Sequence, residues 1–131
     1  MPKKKITVVD GKKIVKKGAA KIKDEDFEKV LKKSEAIKNK FKHARPLGRF
    51  VEDVILLLAI VKDYIKGNYK NIPRWSIAAI VFTLLYVLNP FDIIPDFITF
   101  IGYLDDAAVV AGCLYLVEQD LKEYKEWELN K

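Results

Sequence analysis

The sequence has one cysteine, one histidine and few acids in its first fifty residues. A lone Cys113 excludes an intramolecular disulfide framework, and its apolar neighbours make it a small core residue of a chain kept in a reducing compartment. His43 stands in "FKHARP" among cations and reads as a surface residue rather than a base. A Gly-rich phosphate loop and a nucleophile in a recognisable setting are also missing, so no enzymatic activity is expected. The start, "MPKKKITVVDGKK", has no apolar run after its lysines, so it does not read as a secretory signal. No internal repeat, low-complexity tract or long linker divides the 131 residues, a length that suits one domain.

What is present is unevenly spread. Residues 1–50 hold 17 Lys or Arg against 6 acids, a balance of +11, whereas residues 51–131 carry −5. A basic arm therefore joins an apolar, mildly acidic body. Such an arm suits either nucleic acid or an anionic membrane face. Aromatic residues are not interleaved with the lysines as a base-stacking surface requires, so nucleic acid is not the expected partner and lipid is.

Along the chain, "ITVVDGKKIVKK" alternates weakly around Asp10-Gly11, a dipeptide suited to a type I′ turn. Residues 1–23 are thus read as a basic arm holding either a short β-hairpin or disorder. Residues 24–45 predict one basic amphipathic helix, with Asp24 as cap and Phe27, Val30, Leu31, Ile37 and Phe41 at helical spacing. Its Lys29, Lys32, Lys33, Lys40, Lys42 and Arg45, with Arg49 just beyond, are the expected contacts to a membrane surface. Pro46 and Gly48 interrupt, and residues 46–131 form the helical body. In it, a second apolar helix covers residues 47–66, "KGNYKNIPRW" is a loop, and Pro73 opens a third helix.

That third helix carries no charge over residues 75–88. Fourteen helical residues span about 21 Å, short of a hydrocarbon core of roughly 30 Å. Extension over residues 72–91 gives a membrane-crossing length but must include Arg74 and Pro90. Both a transmembrane or re-entrant helix and a buried bundle helix stay open. A last helix begins near Asp105, apolar at first and charged towards its end.

Between these two helices lies "YVLNPFDIIPDFITFIGYLDDAAVV", residues 86–110, with four aspartates in an apolar setting. Helix punctuation accounts for them. Asn89 suits a cap, Pro90 the first helical position, and Asp92, three residues after the cap, can meet free backbone amides. Pro95 repeats the device with Asp96, Gly102 permits a left-handed helix end, and Asp105 and Asp106 cap the last helix. As a second reading, Asp92, Asp96, Asp105 and Asp106 offer only oxygen ligands, which suit Mg²⁺, Ca²⁺ or Mn²⁺. No other cofactor is suggested.

The stretch resembles the signature of the YkvA-like family, Pro-x-Asp-x-Ile-Pro-Asp followed by Gly-x-x-Asp-Asp. Tyr86, Pro90, Asp92, Ile94, Pro95, Asp96, Gly102, Asp105 and Asp106 match in order and spacing over a motif spanning residues 86–106. Family members often carry serine before the first proline and a further proline in the connector, where this chain has Asn89 and Thr99. Asparagine caps as well as serine does. The resemblance implies a helical, membrane-associated domain of unknown function, usually multi-pass in an inner or endomembrane and also found fused to a membrane-bound RING ubiquitin ligase.

The combined expectation is an all-α unit: a helical hairpin or small helical bundle with an Asp/Pro-rich connector and a basic amino-terminal arm. Its role is structural or interactive, with the hairpin multi-pass or re-entrant in a cytoplasmic or endomembrane membrane and the basic arm on the cytoplasmic side. Anionic lipid is the expected partner, with a protein partner or a second copy as further candidates. The alternative is a soluble cytoplasmic four-helix bundle.

Overall fold

A computed structural model describes residues 8–43, 47–88 and 106–131. These are almost wholly helical, and no strand occurs among the described residues. In chain order they form α1 (Val8–Ala19), α2 (Asp24–Lys32), α3 (Ser34–His43), a 3-10 turn (Leu47–Phe50), α4 (Val51–Lys66), α5 (Arg74–Leu88), α6 (Asp106–Leu116) and α7 (Glu118–Asn130). The all-α expectation holds.

The centre is α5. Every residue from Ser76 to Val87 is buried, so the helix has no wet face, and α1, α2, α3, α4 and α6 all pack around it. A helix apolar on all sides must be covered either by protein or by lipid; this one is covered by protein. Its buried serine and threonine hydroxyls are satisfied, Thr83 donating to the Ala79 carbonyl (2.9 Å) and Ser76 to the Asp120 carboxylate (2.7 Å). Fifteen residues give a length of about 22 Å. Among the described residues no helix is long and apolar enough to cross a membrane, and the transmembrane extension through Pro90 falls partly outside them.

The amino-terminal segment departs most from expectation. Residues 8–19 are neither hairpin nor disorder but helix α1, seated against α5 and α6. Gly11 does not turn the chain. It lets the α1 backbone meet that of α6, since a β-carbon on Gly11 would overlap the Ala108 carbonyl. One on Gly112 would lie 2.5 Å from the Lys12 nitrogen and 2.6 Å from the Gly11 carbonyl carbon. Local turn chemistry is overridden here by a tertiary contact that only glycine allows. Ile14, Val15 and Ala19 complete the buried side.

Two long helices expected as single elements are bent. Residues 24–43 divide at Lys33, whose amide is shared by the Lys29 and Val30 carbonyls (3.1 and 3.2 Å). The bend lays Phe27 and Val30 on one side of it, and Ile37 and Phe41 on the other, into the same core. Asp24 is not the cap of α2. Asp26 reaches back to accept the Lys23 amide (2.9 Å), leaving Asp24 free to pair with Arg74 (2.8 Å) and tie the starts of α2 and α5 together. The carboxy-terminal helix likewise bends at Val117 into α6 and α7.

The loop after α4 follows its sequence closely. Gly67 ends the helix at φ 82°, the left-handed cap that glycine adopts without strain. Pro73 stands directly before α5, its carbonyl accepting the Ser76 and Ile77 amides (3.0 and 3.3 Å).

Candidate functional site

Of the aspartate motif, the two ends are described. Tyr86 is buried in α5 with its ring 5.8 Å from that of Phe82. Asp106 is half-buried as the first residue of α6, where a carboxylate meets the positive end of the helix. Asn89, Pro90, Asp92, Ile94, Pro95, Asp96, Gly102 and Asp105 lie outside the described residues, and with them the capping scheme and the cation site suggested for the four aspartates. Among the described residues no three His, Cys, Asp or Glu side chains cluster as a metal site. The helices flanking the motif, α5 and α6, pack against each other.

Lys29, Lys32, Lys33, Lys42 and Arg49 are exposed, Lys40 is half-buried, and Arg45 lies outside the described residues. Residues 24–43 carry six lysines and five acids, so the charge of that surface largely cancels. Lys38, for one, pairs with Glu35 at 3.5 Å, and the Arg49 guanidinium lies 4.8 Å from the Phe50 ring centre.

The stronger basic face is on α1, where no helix was expected. Residues 8–23 hold six lysines and only one acid, Asp10. At 100° per residue, Lys12, Lys13, Lys16 and Lys17 occupy an arc of about 140°, opposite the buried Gly11, Ile14, Val15, Gly18 and Ala19. Lys13, Lys16 and Lys17 are exposed, and Lys12 lies over the Tyr115 ring of α6 at 4.2 Å. Tyr115 is 62% exposed. The paired spacing 12, 13, 16, 17 against 14, 15, 18, 19 was the available signal for this helix.

A second cluster fastens α7 to the loop after α4. Tyr124, wholly buried, donates its hydroxyl to Asp63 (2.5 Å), and its ring stacks on Trp127 and meets Tyr69 edge-on. Asp63 also accepts from the Asn68 side chain (3.3 Å). The Tyr69 hydroxyl is buried with no hydrogen-bond partner among the described residues. Burial first, then the Asp63 carboxylate, pushes the Tyr124 phenol above its ordinary range; burial, with Glu123 and Asp120, does the same for Tyr69. Because the folded-state value is raised, the unfolded chain loses these protons first. Stability is therefore complete below about pH 10 and declines as pH rises beyond it. Tyr124→Phe is expected to cost about 1–2 kcal/mol at neutral pH and to flatten that alkaline decline, measured as urea midpoints across the pH range. An unchanged slope would remove Tyr124 from the account.

Cys113 is fully buried on α6, and burial raises its thiol to about 12. With its sulfur 3.8 Å from the Ala79 carbonyl, it behaves as a packing residue.

Residues 76–112, from the first buried residue of α5 to the glycine at the α1–α6 crossing, match the family described as "Protein of unknown function (DUF1232)". This match supports the YkvA-like family assignment read from the motif, which lies within it. Over 80 residues, 61% of this chain and 76% of the other, it is 29% identical to the "Uncharacterized membrane protein YkvA" of Bacillus subtilis (strain 168). No solved structure matches the chain. The family match takes in nearly all of the central helix, the aspartate motif and most of α6, while the basic helix α1 lies outside it.

Proposed function

We propose that the protein is a membrane-associated helical module with a structural or interaction role and no catalytic activity of its own. Its association is peripheral, through anionic headgroups on the cytoplasmic side. The observation that carries this reading is the segregation of charge, +11 in residues 1–50 against −5 in the remainder, on a chain whose most apolar helix is already enclosed by its neighbours. A helix uncharged from residue 75 onward that has spent its apolar surface on its own core has little left to offer lipid, whereas a concentrated basic surface is drawn to anionic headgroups. The description of the Bacillus relative as a membrane protein supports the location.

Fractionation of the untagged protein tests the reading. The protein is expected in the membrane pellet and to be released by high salt, because screening removes headgroup attraction. Retention through both salt and alkaline carbonate would replace the peripheral reading with integral insertion. Recovery in the supernatant from the outset would overturn membrane association.

A further inference from the structure

The sequence pointed to the lysines of residues 24–45 as the membrane contact, but charge and geometry favour a different surface. We propose that the outward face of α1, formed by Lys12, Lys13, Lys16 and Lys17 and flanked by Tyr115 of α6, is where the protein docks on the anionic headgroups of a membrane. The inference rests on the membrane reading above and specifies its surface.

Three observations carry it. First, attraction to a charged surface depends on net charge within a Debye length, about 8–10 Å at physiological salt. Residues 24–43 place five acids among six lysines, whereas residues 8–23 place one acid among six. The field of α2 and α3 is thus mostly internal, and that of α1 is directed outward.

Second, the lysines of α1 stand on a fixed platform. Gly11 and Gly112 bring the α1 and α6 backbones into direct contact, and Ile14, Val15 and Ala19 are buried beneath the helix. The charged arc is consequently held at one orientation before any lipid arrives. Little ordering of the backbone then opposes binding.

Third, Tyr115 is the most exposed aromatic ring among the described residues, and it borders this face. A tyrosine there matches the amphipathic headgroup layer, where its ring meets the acyl boundary and its hydroxyl stays hydrated. Nucleic acid would use the same lysines but needs further rings for base stacking, or a groove-reading element, and α1 presents neither. Lipid is therefore the favoured source of negative charge.

The test compares the full chain with two triple variants that lose the same charge from exposed positions: Lys13→Gln, Lys16→Gln, Lys17→Gln on α1, and Lys29→Gln, Lys32→Gln, Lys33→Gln on α2 and its end. Co-sedimentation uses vesicles of phosphatidylcholine alone and vesicles with one third phosphatidylglycerol. The parent should bind only the anionic vesicles. With about fivefold in partitioning per basic residue, the α1 variant should bind on the order of 100-fold more weakly and the α2 variant within a few-fold of the parent. Tyr115→Ser should weaken binding a few-fold on its own.

Equal losses in the two triple variants, or a larger loss in the α2 variant, would overturn the assignment to α1 and leave the membrane reading intact. A parent that ignores anionic vesicles would overturn both. Duplex DNA run in parallel supplies the remaining outcome: a parent that binds DNA but not vesicles, with the α1 variant losing that binding, would transfer the face to nucleic acid and overturn the lipid assignment. Melting curves establish that each variant folds. Should the α1 triple variant not fold, Lys13→Glu and Lys16→Glu taken singly give the same comparison, since neither side chain is buried.

Discussion

Gly112→Ala is expected to destabilise the protein by about 2–3 kcal/mol, against the direction that helix propensity alone gives. In an open helix the exchange of glycine for alanine gains up to about 1 kcal/mol. Here the added methyl would sit 2.5 Å from the Lys12 nitrogen and 2.6 Å from the Gly11 carbonyl carbon. Both are backbone atoms, so no rotamer change relieves the overlap, and α1 must move away from α6. That movement loosens Ile14 and Val15, which are buried in the same contact. Overpacking of this kind costs about 1–3 kcal/mol even where side chains can adjust. Gly11→Ala, facing the Ala108 carbonyl, should behave alike, whereas Gly48→Ala, with open space around it, should stay within about 0.5 kcal/mol. Urea midpoints at constant slope make the comparison. A neutral or stabilising Gly112→Ala would mean that α1 does not lie on α6, and the lysine face proposed for headgroups would lose its platform.

The same glycine contact explains why α1 was the element hardest to read. Asp10-Gly11 carries an intelligible local signal, a tight turn. Gly11 and Gly18 instead serve packing across sixty or more residues of intervening chain, which no local pattern announces. The bends at Lys33 and Val117 escaped for a related reason, since neither has glycine or proline, and each lets an overlong apolar stripe follow the curvature of the core. Where the signal was local and strong, it served well: Gly67 closes α4, Pro73 introduces α5, and the charge-free run of residues 75–88 is a helix. That run also marks the limit of hydropathy. An all-apolar helix reads identically whether protein or lipid covers it, and only the packing of its neighbours decides. Of the aspartate motif, its order and spacing carried the family resemblance that the family match supports, while of the matching positions Tyr86 and Asp106 alone have described surroundings.

The far end of α1 offers a sharper test, because there the glycine opposes a side chain and not a backbone. A β-carbon on Gly18 would run into the ring of Phe82, which is itself 1% exposed on α5 and backed by Tyr86. Phe82→Ala alone should cost about 3–5 kcal/mol through lost burial and the cavity left behind. Gly18→Ala alone should cost about 1–3 kcal/mol, since the ring is enclosed and cannot swing away. In the Phe82→Ala background the sign should reverse. The ring is gone, the new methyl enters the vacated space, and the helix-propensity gain of up to about 1 kcal/mol is no longer cancelled. The two substitutions should therefore couple by about 2 kcal/mol or more in a double-mutant cycle, well above the few tenths expected of independent sites. Additive effects would place α1 away from Phe82 and leave the central helix uncovered on that side. Sign reversal would instead establish that α1, although it lies outside the family match, supplies part of the wall around α5 and is built into the same core.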